Sequence, residues 1–392
     1  MQTWFLENKK RISDVLFCAA LTIELVLMLV EKSEILFSLE SYVFRVTFLL
    51  TLLSVLLMER KKSEWAVVAV FAAFTFICYR ISGKNDLLRV AVFLMAARDI
   101  DLKKAMKYCF YISVAGFIII ALLAVCGVMG DVVQVGDFGR GIPNERRYVF
   151  GFGHPNTLFG CIYVVLLMWI WIYGRKSGIL SYIGMSAGSL AVAVVSRSRT
   201  GLAVIVLTLV AAILVRLFPK AREKKFIYVA EAVFSPVICM LTAVLAAGFS
   251  GYMFVGEGIP ISDKFWEIER LISYRMSNVY YSTPDRGGIL TRWKLFAGHG
   301  AEGYFDMGWV RLFYWYGIIP TVIIALLLFI IIRVCWEKRD IWTLVLIFSA
   351  SLYTIVEATF VTRYIGRDFF LLIAGVYLGD FFRREMKDIR ID

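Results

Sequence analysis

Runs of about twenty apolar residues recur from one end of this 392-residue chain to the other, and that is the length a helix needs to cross the hydrocarbon core of a bilayer. In lipid, each backbone N–H and C=O must find its partner within the chain, so such runs become helices. Hydrophobic residues make up 60% of the chain and charged residues 19%. Soluble domains average about 45–50% and about 25%, so a soluble core cannot absorb the excess. The expected fold class is all-α: a polytopic integral membrane protein with about twelve transmembrane helices and one large extracytoplasmic loop. Disordered and collagen-like chains are excluded. The seven cysteines lie in or at the ends of apolar runs, with no C-x-x-C and no Cys/His cluster, so neither a disulfide framework nor a zinc site is supported.

The expected spans are 12–31, 39–58, 65–81, 86–98, 106–129, 154–173, 178–196, 200–218, 226–249, 311–333, 341–357 and 364–382. Residues 1–249 then hold nine helices, with an outer loop near 130–153. Residues 250–310 form the large, partly helical loop, residues 311–382 the last three helices, and residues 383–392 a cytoplasmic tail. Lys9-Lys10-Arg11 followed by an apolar run to Val30 reads as an uncleaved first helix. With the N-terminus in the cytoplasm, every short inner loop is basic, as the positive-inside rule requires, and both termini are cytoplasmic. The net charge of +12 then reports topology and anionic lipid, with no nucleic acid partner. On this scheme the inner segments carry 13 Lys and 11 Arg, whereas the outer ones carry 4 Lys and 13 Arg. Topology needs only charge. An outward surplus of Arg calls for a second cause, and a planar fork matched to phosphate oxygens supplies one.

The candidate residues lie on that outer side. The two histidines are His154, in Gly151-Phe152-Gly153-His154-Pro155-Asn156, and His299, between Gly298 and Gly300. Histidine is the side chain best poised to take a proton near neutrality. Arg197 and Arg199 fall in Ser196-Arg197-Ser198-Arg199-Thr200-Gly201 where two spans meet, and arginines at that depth should face a cavity or a partner. Arg140, Arg146 and Arg147 belong to the first loop, and Arg270, Arg275, Arg286 and Arg292 to the second. Ser262-Asp263 is expected to cap a helix running to about Tyr281. Glu357 and Arg363 flank the last turn and are expected to pair with each other. The loop aromatics, Trp266, Tyr304 and Trp309 among them, suit an interfacial belt or the stacking of sugar rings. No P-loop, dinucleotide fingerprint or His-Glu-x-x-His occurs, so no metal and no cofactor is expected.

Four local features carry a resemblance: Gly151 to Asn156, Ser198-Arg199-Thr200-Gly201, the large loop, and Asp306-Met307-Gly308-Trp309-Val310-Arg311 followed by Tyr316-Gly317-Ile318. Together with the helical layout, they make the chain resemble the O-antigen, capsule and exopolysaccharide polymerases and the O-antigen ligases of bacterial envelopes. The resemblance implies glycosyl transfer from an undecaprenyl-diphosphate-linked oligosaccharide at the outer face of the cell membrane. It implies no metal, and as partners membrane lipid, a flippase and a chain-length regulator. On that footing Arg197, Arg199, Arg270 and Arg275 would hold the diphosphate. His299 would be the first choice of base and His154 the second, while Asn156, Arg147, Asp306 and Arg311 would position substrate. A polymerase is the leading expectation. A ligase shares the site logic, and a flippase would favour ionisable groups at mid-membrane depth, whereas charge here gathers at the outer rim.

Overall fold

The computed structural model describes residues 2–138, 142–255, 263–271, 274–301, 303–358, 360–361 and 367–388. Helices α1 (Gln2–Lys32), α2 (Glu40–Leu57), α3 (Lys62–Ser82), α4 (Asp86–Ala96) and α5 (Leu102–Val125) precede an antiparallel ribbon of β1 (Val133–Gly136) and β2 (Glu145–Tyr148). Next come α6 (Pro155–Tyr173), α7 (Ile179–Val195), α8 (Arg199–Leu217) and α9 (Lys225–Val233). The last passes through a π turn at Phe234–Ile238 into α10 (Cys239–Val255). Two short helices, α11 (Asp263–Leu271) and α12 (Arg275–Tyr281), lead to α13 (Gly308–Tyr316), α14 (Ile318–Lys338), α15 (Ile341–Thr354) and α16 (Arg367–Asp388).

Among the described residues, eight helical stretches are long and apolar enough to cross a membrane, and α7 and α15 are shorter apolar helices. All twelve expected spans fall on helix, but not all as single spanning rods. At eleven residues α4 is about 16 Å long, about half the hydrocarbon thickness. The expected span 311–333 is two helices, broken at Gly317. There φ is +96°, and a Cβ would lie 2.6 Å from the Phe296 backbone. The loop segment at 294–297 exploits that gap, since Ala297 N–H donates to Tyr316 O at 3.1 Å and Ile318 N–H to Lys294 O at 2.9 Å. The expected helix from Asp263 to Tyr281 is likewise two, because Tyr274 takes the left-handed φ of 57° and turns the chain; Ser262 lies outside the described residues.

The core has two parts. In the larger, α6 is enclosed by α5, α7, α8 and α15, with Phe159, Tyr163, Leu166 and Leu167 fully buried. Gly201 permits a close approach: a Cβ there would lie 2.5 Å from the Phe159 ring, so the start of α8 seats its backbone on that side chain of α6. Buried polar groups within this part find one another. Glu24 accepts from Thr47 Oγ1 at 2.6 Å and from Arg89 Nη2 at 3.1 Å. The smaller part gathers Ala243 and Ala247 of α10, Val279 and Tyr280 of α12, and Phe305, Trp309 and Val310 around α13. Much of the large loop is therefore packed against the bundle, and several loop aromatics are core residues.

Ion pairs collect at two ends of the helices. At one, Glu64, Arg98, Asp99, Arg383, Asp380 and Lys338 form a continuous chain. The other holds Glu145, Arg147, Arg197, Arg275, Asp306 and Glu357. Gly201→Val should lower stability by about 1–3 kcal/mol through overpacking against Phe159. Thermal unfolding of the purified protein in detergent measures it, and an unchanged melting temperature would mean that α6 and α8 can part freely.

Candidate functional site

The strand alternation of β2 decides which loop arginine turns inward. Glu145 and Arg147 are buried, while Arg146 and Tyr148 point out. Arg147 Nη2 donates to Glu145 Oε2 at 2.8 Å, and the Phe138 ring lies 4.2 Å from its guanidinium. The other oxygen of Glu145 accepts from Arg197 Nη1 at 3.3 Å. Arg197 adopts φ 52°, an uncommon conformation for a side-chain-bearing residue, in the turn before α8. Ser198 caps that helix, its Oγ accepting from Gly201 N–H at 3.3 Å. The Ser-Arg-Thr-Gly motif is thus a helix start that aims Arg197 at Glu145 and leaves Arg199 exposed.

A second cluster grows from the break between α11 and α12. The fully buried carboxylate of Glu269 caps α12, accepting from Ser277 N–H at 2.8 Å, Ser277 Oγ at 2.6 Å and Met276 N–H at 3.1 Å. Arg275, first residue of α12, is thereby turned into an ion pair with both Asp306 and Glu357. Beside them lies Arg311, whose side chain is 0% exposed. Its Nε donates to Phe305 O at 2.9 Å, and the Tyr304 ring covers the guanidinium at 3.6 Å. Nη1 and Nη2 of Arg311 have no hydrogen-bond partner among the described residues. A buried guanidinium in that state calls for a further acceptor.

His154 lies within electrostatic reach of both clusters. It caps α6, with Pro155 following at the first helical position, and its Nδ1 accepts from Asn156 N–H at 3.2 Å. In the neutral ring that bond places the proton on Nε2, so the free edge of His154 is a donor. Loss of solvent and the Arg147 charge hold its imidazolium below the usual range, with Asp306 opposing. Burial lifts the Glu357 carboxyl up to about 7, Arg275 pulling it down and Asp306 raising it further. Burial also works against the Arg275 charge, but Glu357 and Asp306 outweigh it and raise that pKa.

Arg147, Arg197, His154, Asn156, Asp306, Arg275 and Arg311 therefore belong to one end of the bundle, in two clusters linked by the electrostatic reach of His154. Three expected site residues stand apart. Arg199 is exposed at the start of α8, and Arg270 is exposed in the last turn of α11. His299 packs against Gly83 at the end of α3, its Nδ1 2.6 Å from where a Cβ would be, in a cleft lined by Asp285, Arg292, Trp293 and Tyr314. No described ion pair or hydrogen bond joins His299 to the arginines. Two residues of the site were not legible as such in the sequence. Glu145 follows a turn with no motif of its own. Glu357 pairs with Arg275, a partner its sequence position does not suggest; the expected partner Arg363 lies outside the described residues, as do Arg140 and Glu302. A carboxylate three residues beyond an apolar helix was the available signal. No family model, curated protein or solved structure matches the chain.

Because the Glu357 carboxyl keeps its proton to a higher pH folded than at its ordinary value of 4.5, its contribution to stability is full below that value and is lost as the pH rises through about 7. Relative to Glu357→Gln, the native protein should lose melting temperature between about pH 5 and about pH 7.5. Parallel pH curves for the two proteins would show that Glu357 titrates as an ordinary carboxyl.

Proposed function

We propose that the protein is a polysaccharide polymerase, joining polyprenyl-diphosphate-linked oligosaccharide repeat units at the outer face of the cytoplasmic membrane. The basic end of the bundle faces the cytoplasm in this reading, and the two arginine clusters face outward. The observation that carries it is the buried guanidinium of Arg311, with two nitrogens lacking acceptors among the described residues, beside the Arg275 ion pairs. A diphosphate leaving group gathers negative charge as its bond to the sugar lengthens, and preorganised guanidinium forks in a water-poor site are strong stabilisers of such charge.

In the reaction, a hydroxyl of the acceptor sugar attacks the anomeric carbon of the donor. The new glycosidic bond forms, the bond from that carbon to the diphosphate oxygen breaks, and the hydroxyl proton passes to a base. Asp306 is the accessible carboxylate of the site, its side chain 25% exposed, and is assigned that proton; Glu357 holds Arg275 in place from the buried side. His154, donating through Nε2, positions a phosphate or sugar oxygen. Tyr304, 57% exposed over Arg311, offers a ring face to the glycan.

A ligase passing a finished glycan to another acceptor would use the same groups, and a deletion strain separates the two. Single repeat units on the surface mean a polymerase, and intact polymer left unattached means a ligase. Transport is favoured by one feature, the buried Glu231 beside the π turn of a spanning helix, but that carboxyl is engaged by Ser235 Oγ.

Arg311→Lys retains the charge and loses the fork. With purified protein and a synthetic undecaprenyl-diphosphate repeat unit, it should reduce polymer formation about 100-fold or more, as loss of one transition-state donor does. Asp306→Asn should act as severely. Normal chain length from both variants would remove this cluster from the chemistry.

A further inference from the structure

A separate feature lies at the opposite, basic end of the bundle. A narrow apolar groove runs between α3, α4 and α16, floored by Val67, Phe71, Leu94, Leu378 and Phe382. It exists because α16 approaches α4 at two glycines one turn apart. A Cβ on Gly375 would lie 2.7 Å from Ala97 Cβ, and one on Gly379 would lie 2.3 Å from the Arg98 side chain. From its start to Phe71, α3 rises about 13 Å along the groove, the reach of the upper half of an acyl chain. The α3 wall is largely unburied within the protein, so the groove opens toward lipid.

Three arginines stand at its mouth, and they are not equivalent. Arg98 is neutralised by Glu64 at 2.7 Å and Asp99 at 2.6 Å. Arg383 is neutralised by Asp99 at 2.7 Å and Asp380 at 2.8 Å. Arg60 has no carboxylate within ion-pair distance among the described residues. Its Nη2 donates to Met95 O at 2.6 Å, and its buried Nε has no acceptor. Burial and the neighbouring charge of Arg98 pull its pKa down to about 10, with Asp99 and Glu64 opposing and Arg383 adding to the fall. Arg60 is thus a half-buried cation with an unpaired Nε at the head of a lipid-facing apolar groove. An anion carrying an acyl chain satisfies both features at once.

We propose that this groove binds one anionic phospholipid from the leaflet at the basic end, its phosphate on Arg60 and an acyl chain along Val67, Phe71, Leu94 and Leu378. The assignment is independent of the glycan chemistry proposed for the other end.

The test is native mass spectrometry of the full-length protein, delipidated in neutral detergent and titrated with phosphatidylglycerol or with phosphatidylcholine of the same chains. The native protein should retain one phosphatidylglycerol in preference to phosphatidylcholine. Arg60→Gln should weaken that retention about fivefold, and Arg60→Lys should recover part of it. Leu378→Trp, which fills the groove and leaves Arg60 intact, should lose it too. Unaltered melting temperatures in phosphatidylcholine show that the variants are folded. Equal retention of both lipids by the native protein, or of phosphatidylglycerol by all variants, overturns the proposal. So does equal stabilisation by inorganic phosphate, which would make the site one for a bare anion.

Discussion

The ion pair of Arg275 with Asp306 and Glu357 ties the short helix α12 to the segment before α13 and to the end of α15, elements far apart in sequence. Charges so placed have left water, and their mutual attraction offsets that loss only when every member is held in place. The surrounding structure supplies the holding. Glu269 caps α12, and the loop at 294–297 is hydrogen-bonded across the break at Gly317. Tyr304 and Phe305 enclose Arg311 from the other side. Removing one carboxylate would leave Arg275 and its neighbour Arg311 with a single buried anion between them, so the arrangement is stable as a set and fragile in its parts.

That set leaves two nitrogens of Arg311 without an acceptor among the described residues, while its neighbour Arg275 has two carboxylates. The asymmetry suits an anion site. Arg275 is neutralised by two carboxylates, and Arg311 is held by the Phe305 carbonyl and the Tyr304 ring. The basic end repeats the pattern with Arg98 and Arg383 neutralised and Arg60 not, over a floor of apolar side chains. The surroundings of the two guanidiniums differ, Arg311 lying under the Tyr304 ring and Arg60 at the head of an apolar groove.

Small residues decide where the helices meet. Gly201 lets α8 touch Phe159, Gly375 and Gly379 bring α16 onto α4, and Gly317 admits a loop backbone. Such close approach matters in a membrane, where apolar side chains gain nothing by leaving lipid and contact must come from packing and hydrogen bonds. The strand pair works differently. Its two-residue period turns Arg147 inward and Arg146 outward, a distinction that no property of the Arg146-Arg147 dipeptide reveals.

The sequence by itself determined the solvent, the helical class and the helix positions, because apolar runs in lipid leave the backbone one way to satisfy its hydrogen bonds. It also brought Arg147, Arg275, Asp306 and Arg311 into view, since buried or loop-borne arginines stand out in so apolar a chain. Tertiary structure alone decided that Tyr274 and Gly317 break expected helices, and that Glu357 pairs with Arg275. It placed His299 against Gly83, and made Glu145 the shared partner of two arginines. These outcomes depend on which groups meet across hundreds of residues. An ion pair is chosen by distance and burial, and neither is written in local composition.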